Sequence, residues 1–293
     1  MLKKSPELQG ILLACLAFLA FSSSDAMSKQ IVSSMHPFML ALIRFLVQMA
    51  MVCLVFRVWR DWTAIYTKRP VLQVIRGIAL SGVTLGQFLA LQHLQLAEAI
   101  AILFAMPLIV TALSGPILGE WPGIRRWSAA LVGFAGVLVV VQPGTGAMHW
   151  AAIYSFMGAL SFAVYTLLTR ILTATETNES LMFYSALAPA IALAPAGLYY
   201  WEAPQDPFIY PLIAGVCLAA MGGHYIFTLA YRLAPAGLLS PFMYTQIIWM
   251  IFFGYIFFHD VPTTYTLLGA AIIISSGLYT LYREGIRKKE KKA

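Results

Sequence analysis

Charge is what this sequence has least of. Of its 293 residues only 11% are Asp, Glu, Lys or Arg, while 60% are hydrophobic and the mean hydropathy is +0.80. A water-soluble domain needs a charged surface to stay dispersed, so that class is excluded and a membrane protein is expected. Cysteine is scarce as well. Cys15, Cys53 and Cys217 lie in apolar runs without CxxC spacing, which removes a disulfide framework and a zinc site. No G-x-x-x-x-G-K-[ST] phosphate loop occurs; the one glycine-rich turn, Pro143-Gly144-Thr145-Gly146, lacks the lysine, so ATP hydrolysis is not expected. His36, His93, His149, His224 and His259 are dispersed, with no HExxH and no paired carboxylates on one face, so neither a metal nor a catalytic group is assigned and no cofactor is expected. The formal charge of +7 is scattered over short segments, unlike the concentrated basic face of a nucleic-acid partner.

What is there instead is a succession of apolar windows. Ten candidate spans read at about 8–28, 36–56, 71–92, 97–119, 127–142, 150–172, 180–200, 209–232, 236–258 and 264–282. Turn chemistry separates them at His36-Pro37, Arg69-Pro70, Trp121-Pro122-Gly123, Gln142-Pro143-Gly144, Pro204 to Pro207 and Val261-Pro262. Ten spans take roughly 200 residues, which leaves no room for a soluble catalytic domain. With the N-terminus inside, 16 of the 19 basic residues fall in cytoplasmic segments, Lys29 alone falls outside, and Arg44 and Arg76 lie within spans. This bias predicts a multi-pass protein of the cell inner membrane with both termini cytoplasmic. The first apolar stretch follows Lys3 and Lys4 as a signal peptide would, but it is too long for an h-region and is read as a span.

Sliding the chain on itself by 140 to 141 positions aligns Phe21 with Phe162, Lys29 with Arg170, Gly82 with Gly223, Glu120 with Asp260, Pro122 with Pro262 and Gly136 with Gly277. Two copies of one unit are the simplest account, 1–145 and 146–293. Five spans per copy is an odd number, so the second copy is expected upside down. The predicted fold class is an all-α membrane protein of ten transmembrane helices in two inverted five-helix repeats. Such halves can exchange conformations about a shared chamber, which is alternating access.

Asp25-Ala26-Met27-Ser28-Lys29 closes the first span and Arg44 follows in the second. Arg76-Gly77 lies early in the third, and Leu94 to Ile102 leads to Pro107-Leu108, Leu118-Gly119-Glu120 and Gly136-Val137-Leu138. In order and spacing this resembles an EamA-type member of the drug/metabolite transporter superfamily over essentially the whole chain. The second unit departs from the family pattern, with Ile247 or its neighbours where a proline is usual and Asp260 where Glu is usual. The resemblance implies ten helices and movement of small organic metabolites.

Ionisable groups inside spans are costly unless paired or wetted, so each is a candidate. Asp25 and Lys29, four apart, can pair on one helical face. Arg44, Arg76 and Glu98 complete the gating or coupling candidates; snorkelling also accounts for Arg76, and a helix N-terminus favours Glu98 without any function. His224, Thr228 and Tyr231 project from one face of the eighth span. With Phe18, Phe21, Phe104, Tyr165, Tyr225, Tyr244 and Trp249, His224 and Thr228 are expected to line the pocket. Gly82, Gly86, Gly222 and Gly223 are read as sites of close helix packing. The expected function is a secondary carrier, not an enzyme, that exports small amphipathic or aromatic metabolites such as amino acids. The alternative is an importer of a nucleoside-like compound such as S-adenosylmethionine. A membrane enzyme or a channel is the competing class. The expected partners are the small-molecule substrate and the lipid bilayer; facilitated diffusion, exchange and coupling to an ion gradient are all open, and if the ion is a proton, Asp25, Glu98 and His224 are the available carriers.

Overall fold

In the computed structural model, residues 6–119, 121–145, 148–172, 174–233 and 240–290 are described. The side chain of Thr228, one of the expected lining residues, lies outside the described ones, as do the side chain of Tyr231 and Glu120. Helices account for the architecture, and among the described residues there is no strand. They are α1 (Pro6–Ile31), α2 (Pro37–Phe56), α3 (Pro70–Leu91), α4 (Leu96–Leu103), α5 (Met106–Leu118), α6 (Ile124–Val141), α7 (Ala152–Leu172), α8 (Asn178–Tyr199), α9 (Ile209–Leu233), α10 (Thr245–Phe258) and α11 (Thr264–Glu290). Short 3₁₀ turns cover Trp62–Ile65 and Ser240–Tyr244.

Local chemistry explains the helix ends. Pro37 and Pro70 open α2 and α3, where a missing N–H costs nothing. Thr177 caps α8 by accepting from the Ser180 N–H. Gly119 ends α5 in the left-handed region at φ 70°, a conformation that an L side chain would strain.

Seven spans are long and apolar enough to cross a membrane, α4 and α5 counting together as one over Leu96–Leu118, and three shorter apolar helices lie at Trp127–Val141, Phe242–Phe258 and Thr264–Tyr279. The fourth expected span is not one helix. It breaks at Phe104 and Ala105, between α4 and α5, because Pro107 lacks the N–H that would carry the helix through. The ninth is similarly interrupted, with a 3₁₀ turn ending at Tyr244 before α10 begins.

The bundle is inside-out relative to a soluble protein. Leu54, Ile78, Leu131, Leu198, Leu218 and Leu268 are exposed, whereas Ser22, Ser24, Ser28, Gln73, Arg76, Thr84 and Gln87 are buried. Lipid suits the first set, and the second must find partners within the protein. Packing joins α1 to α9 and α3 to α7, α1 to α10 and α7 to α5, α2 to α8, and α6 to α11. The α6–α11 approach is so close that a Cβ on Gly136 or Gly269 would strike the other's carbonyl oxygen, so only glycine fits there. Gly82 and Gly86 face α7 and Gly223 faces Phe21, as close packing requires; Gly222, expected to do the same, has open space beside it.

Candidate functional site

Three ionisable side chains meet deep in the bundle, contributed by α1, α2 and α9. Asp25, Arg44 and His224 lie far from the protein exterior yet are only partly buried, so each borders open space. Arg44 is within electrostatic reach of Asp25, His224 and Cys217. The Arg44 Nη1 donates to Thr84 Oγ1 at 3.2 Å, and its Nε is buried without a partner. The guanidinium carbon lies 5.7 Å from the Phe45 ring centre and 5.9 Å from that of Phe88, so aromatic rings and α3 fix its plane. Asp25 has no hydrogen bond or ion pair within 4 Å among the described residues.

Aromatic rings complete one wall. Phe21 stands edge-on to His224 at 4.9 Å and contacts Phe18 and Phe227 at 6.3 and 6.2 Å. Phe18 is 8% exposed and packs under this wall against Ala14 and Ala230. The backbone supports the arrangement: Ser24 Oγ donates to the Val216 carbonyl on α9, and Ser22 Oγ to the Gln246 carbonyl on α10. Phe104 and Tyr244 meet at 5.3 Å, at the two helix interruptions. Interrupted helices at corresponding places in two halves are where transporter folds build their sites, since freed backbone groups become available there.

The remaining candidates are placed elsewhere. Lys29 does not pair with Asp25; its Nζ meets Asp260 Oδ2 at 2.6 Å and lies 4.8 Å from the Phe258 ring centre. The last turn of α1 leans on the end of α10, and a carboxylate in contact outcompetes one a helical turn deeper. Arg76 does not snorkel. It is 2% exposed, donates to Gln73 Oε1 at 3.1 Å, to Thr169 Oγ1 at 3.4 Å and to the Leu181 carbonyl, and lies 5.4 Å from the Tyr165 ring centre. It ties α3 to α7 and α8, and Tyr165, stacked on Phe162, belongs to that cluster. Glu98 accepts from the Gln95 N–H at 3.2 Å in a capping box at the start of α4. The expectation for Tyr225 is corrected: it is 53% exposed, because one residue along a helix turns the side chain about 100° away from His224. Trp249 is half-buried and packs on Phe252 and Phe253 of its own helix.

Thr84, Phe45, Phe88 and Cys217 were not singled out by sequence reasoning. A signal existed for Thr84: Gln73, Arg76, Thr84 and Gln87 recur at helical spacing within one arc of α3. The aromatic residues carry none, since rings are plentiful.

The profile of the EamA-like transporter family matches residues 8–142 and again 149–282. The chain belongs to the EamA-like transporter family. It is 30% identical over 280 residues to the S-adenosylmethionine uptake transporter of Rickettsia prowazekii (strain Madrid E), with 94% of each chain covered. It is 31% identical over 198 residues to the riboflavin transporter of Rhizobium johnstonii, covering 66% of this chain and 64% of that one. A solved crystal structure, at 19% identity, matches with a TM-score of 0.67 over 96% of this chain and 98% of that one, which supports the fold alone. The chain is thus a multi-pass membrane protein of a transporter family acting on small molecules.

Proposed function

We propose that the chain is a secondary carrier that takes up S-adenosylmethionine or a closely similar nucleoside across the inner membrane by alternating access. The observation that carries this reading is the full-length relation to an S-adenosylmethionine uptake transporter, over 94% of both chains. It favours the importer alternative over the amino-acid export expected first. The deep site suits such a molecule: it offers aromatic rings to a purine and opposite charges to a charged tail.

Alternating access is supported by the paired packing. The contacts of α1 with α9 and α10 are matched by those of α7 with α3 and α5, as two inverted units, 1–145 and 146–293, would require. The two matched segments, 8–142 and 149–282, fit that division. Placing both termini in the cytoplasm follows the basic residues.

Uptake of radiolabelled S-adenosylmethionine by cells expressing the carrier, against cells with an empty vector, tests the reading. Saturable uptake displaced by excess unlabelled compound is expected. No uptake, together with accelerated efflux of labelled aromatic amino acids, overturns it in favour of export.

A further inference from the structure

Asp25 and Arg44 pose a physical problem. Opposite charges within electrostatic reach of one another in a low-dielectric interior attract strongly, and two unrestrained side chains would close to contact. Here no ion pair within 4 Å joins them. Arg44 is restrained: its Nη1 is bonded to Thr84 and its plane lies against Phe45 and Phe88. Asp25 has no polar partner among the described residues, and the buried Nε of Arg44 has none either. The protein therefore keeps a positive and a negative group apart, each with bonding capacity unused, in a place that borders open space. Such an arrangement is costly for the empty carrier unless a ligand or water completes it.

We infer that Asp25 and Arg44 form a clamp for an α-amino-carboxylate zwitterion, Asp25 receiving the ammonium group and Arg44 the carboxylate. Charge selects this class. An anion would be repelled by Asp25 and a simple cation by Arg44, whereas a zwitterionic head group adds no net charge of its own, and the sulfonium of S-adenosylmethionine falls on the body of the ligand, toward the aromatic rings. A guanidinium also presents its donors as a planar fork, which suits a carboxylate. The body of the ligand then extends along the wall of Phe21 and His224, where a ring can be received edge or face on. The clamp rests on the uptake reading for the identity of that body, but the head group it selects is independent of it. Riboflavin, which has no zwitterionic head, would leave both charges unanswered.

The test is binding to the purified full-length carrier in detergent, with S-adenosylmethionine, its decarboxylated derivative, 5′-methylthioadenosine and L-methionine as ligands. The wild-type protein is expected to prefer S-adenosylmethionine over the decarboxylated compound by about tenfold or more. Arg44→Gln should lose about that factor for S-adenosylmethionine and bind the decarboxylated compound no more weakly, since the charge that repels its ammonium group is gone. Asp25→Asn should weaken both, since both carry the amine, and leave 5′-methylthioadenosine unaffected. An equal loss for the two compounds in Arg44→Gln overturns the clamp while the uptake reading stands. Arg44-dependent binding of methionine without binding of S-adenosylmethionine supports the clamp and overturns the substrate. If Arg44→Gln does not fold, the wild-type preference decides, and equal affinity for the two compounds overturns the clamp; binding of none of the four overturns both readings.

Discussion

Two arginines are held inside this bundle, and they are held differently. Arg76 is spent on structure: side-chain oxygens of Gln73 and Thr169, the Leu181 carbonyl and the face of Tyr165 surround it at 2% exposure, and only its Nε, like that of Arg44, is buried without a partner. Among the described residues Arg44 has a single hydrogen bond, to Thr84, and borders open space near Asp25, which has none. Arg76 is sealed in the interior and Arg44 is only partly buried, and the two also differ in what offsets the cost of desolvation. At Arg76 the fold itself does so, by joining three helices. At Arg44 the offset is left incomplete, which a protein tolerates where a ligand binds.

The comparison breaks most visibly if function and stability fail to separate. Arg44→Gln is expected to lower initial uptake about tenfold or more, the effect of removing a charge-assisted bond, with little change in thermal unfolding. Arg76→Met should behave in the opposite way. It leaves Gln73 Oε1 without a donor in the interior, while the Leu181 carbonyl keeps the Ser185 hydroxyl and Gln73 Nε2 keeps Ser180, and is expected to cost about 1–3 kcal/mol, while carrier that remains folded keeps its substrate affinity. Unfolding in detergent and uptake normalised to folded protein check both. Similar losses of stability in the two variants would sink the distinction.

The sequence made the helices legible and the partnerships much less so. Long apolar windows, opened by proline at α2 and α3, place α2, α3, α7 and α8 within a few residues of their observed ends. Hydropathy averaged over a window cannot see a break of one or two residues, which is why the interruption at Phe104 and Ala105 is invisible to it although Pro107 was in view. Spacing on one helix suggested Asp25 with Lys29, because i,i+4 geometry is all that a single segment reveals. Asp260 is 231 positions away, and only the packing of α1 on α10 brings it to Lys29. Asp25, Arg44 and His224 stood out as ionisable groups inside spans, whereas Thr84, which holds Arg44, is neutral and did not.

The same contrast recurs one turn apart on α1, where Lys29 is paired and Asp25 is not. Lys29 and Asp260 are 16% and 22% exposed, so screening limits the bond to about 0.2–1 kcal/mol. Lys29→Asp should therefore destabilise the protein by about 1 kcal/mol, through loss of the attraction and gain of a repulsion. Adding Asp260→Lys should recover most of it, and a double-mutant cycle measures the coupling. No recovery in the swapped protein would mean that the pair is adjacent without being coupled. Because the bond joins the first and second halves of the chain, its single disruption should also raise labelling of Cys217 by a membrane-impermeant thiol reagent applied from outside, with Cys15 and Cys53 replaced.

The smallest expected effect lies just before α2, outside the spans. His36 stacks on Tyr200 at 3.7 Å and 9°, and its Nδ1 is buried without a partner. Burial lowers its pKa from the ordinary 6.5, so the folded protein holds this proton less well than the unfolded chain does. The sign follows: the stabilising stack is fully present above the ordinary value and is eroded as pH falls below it toward the lowered one. Glu202 and Asp206 line the same cavity and attract the protonated ring, which keeps the loss modest. Unfolding temperatures compared at about pH 7.5 and about pH 5 should fall slightly more for the wild-type protein than for His36→Phe, which keeps the stack and removes the titration. An identical fall in the two proteins would assign the acid sensitivity to the carboxylates instead, and would leave His36 as a ring whose packing matters and whose charge does not.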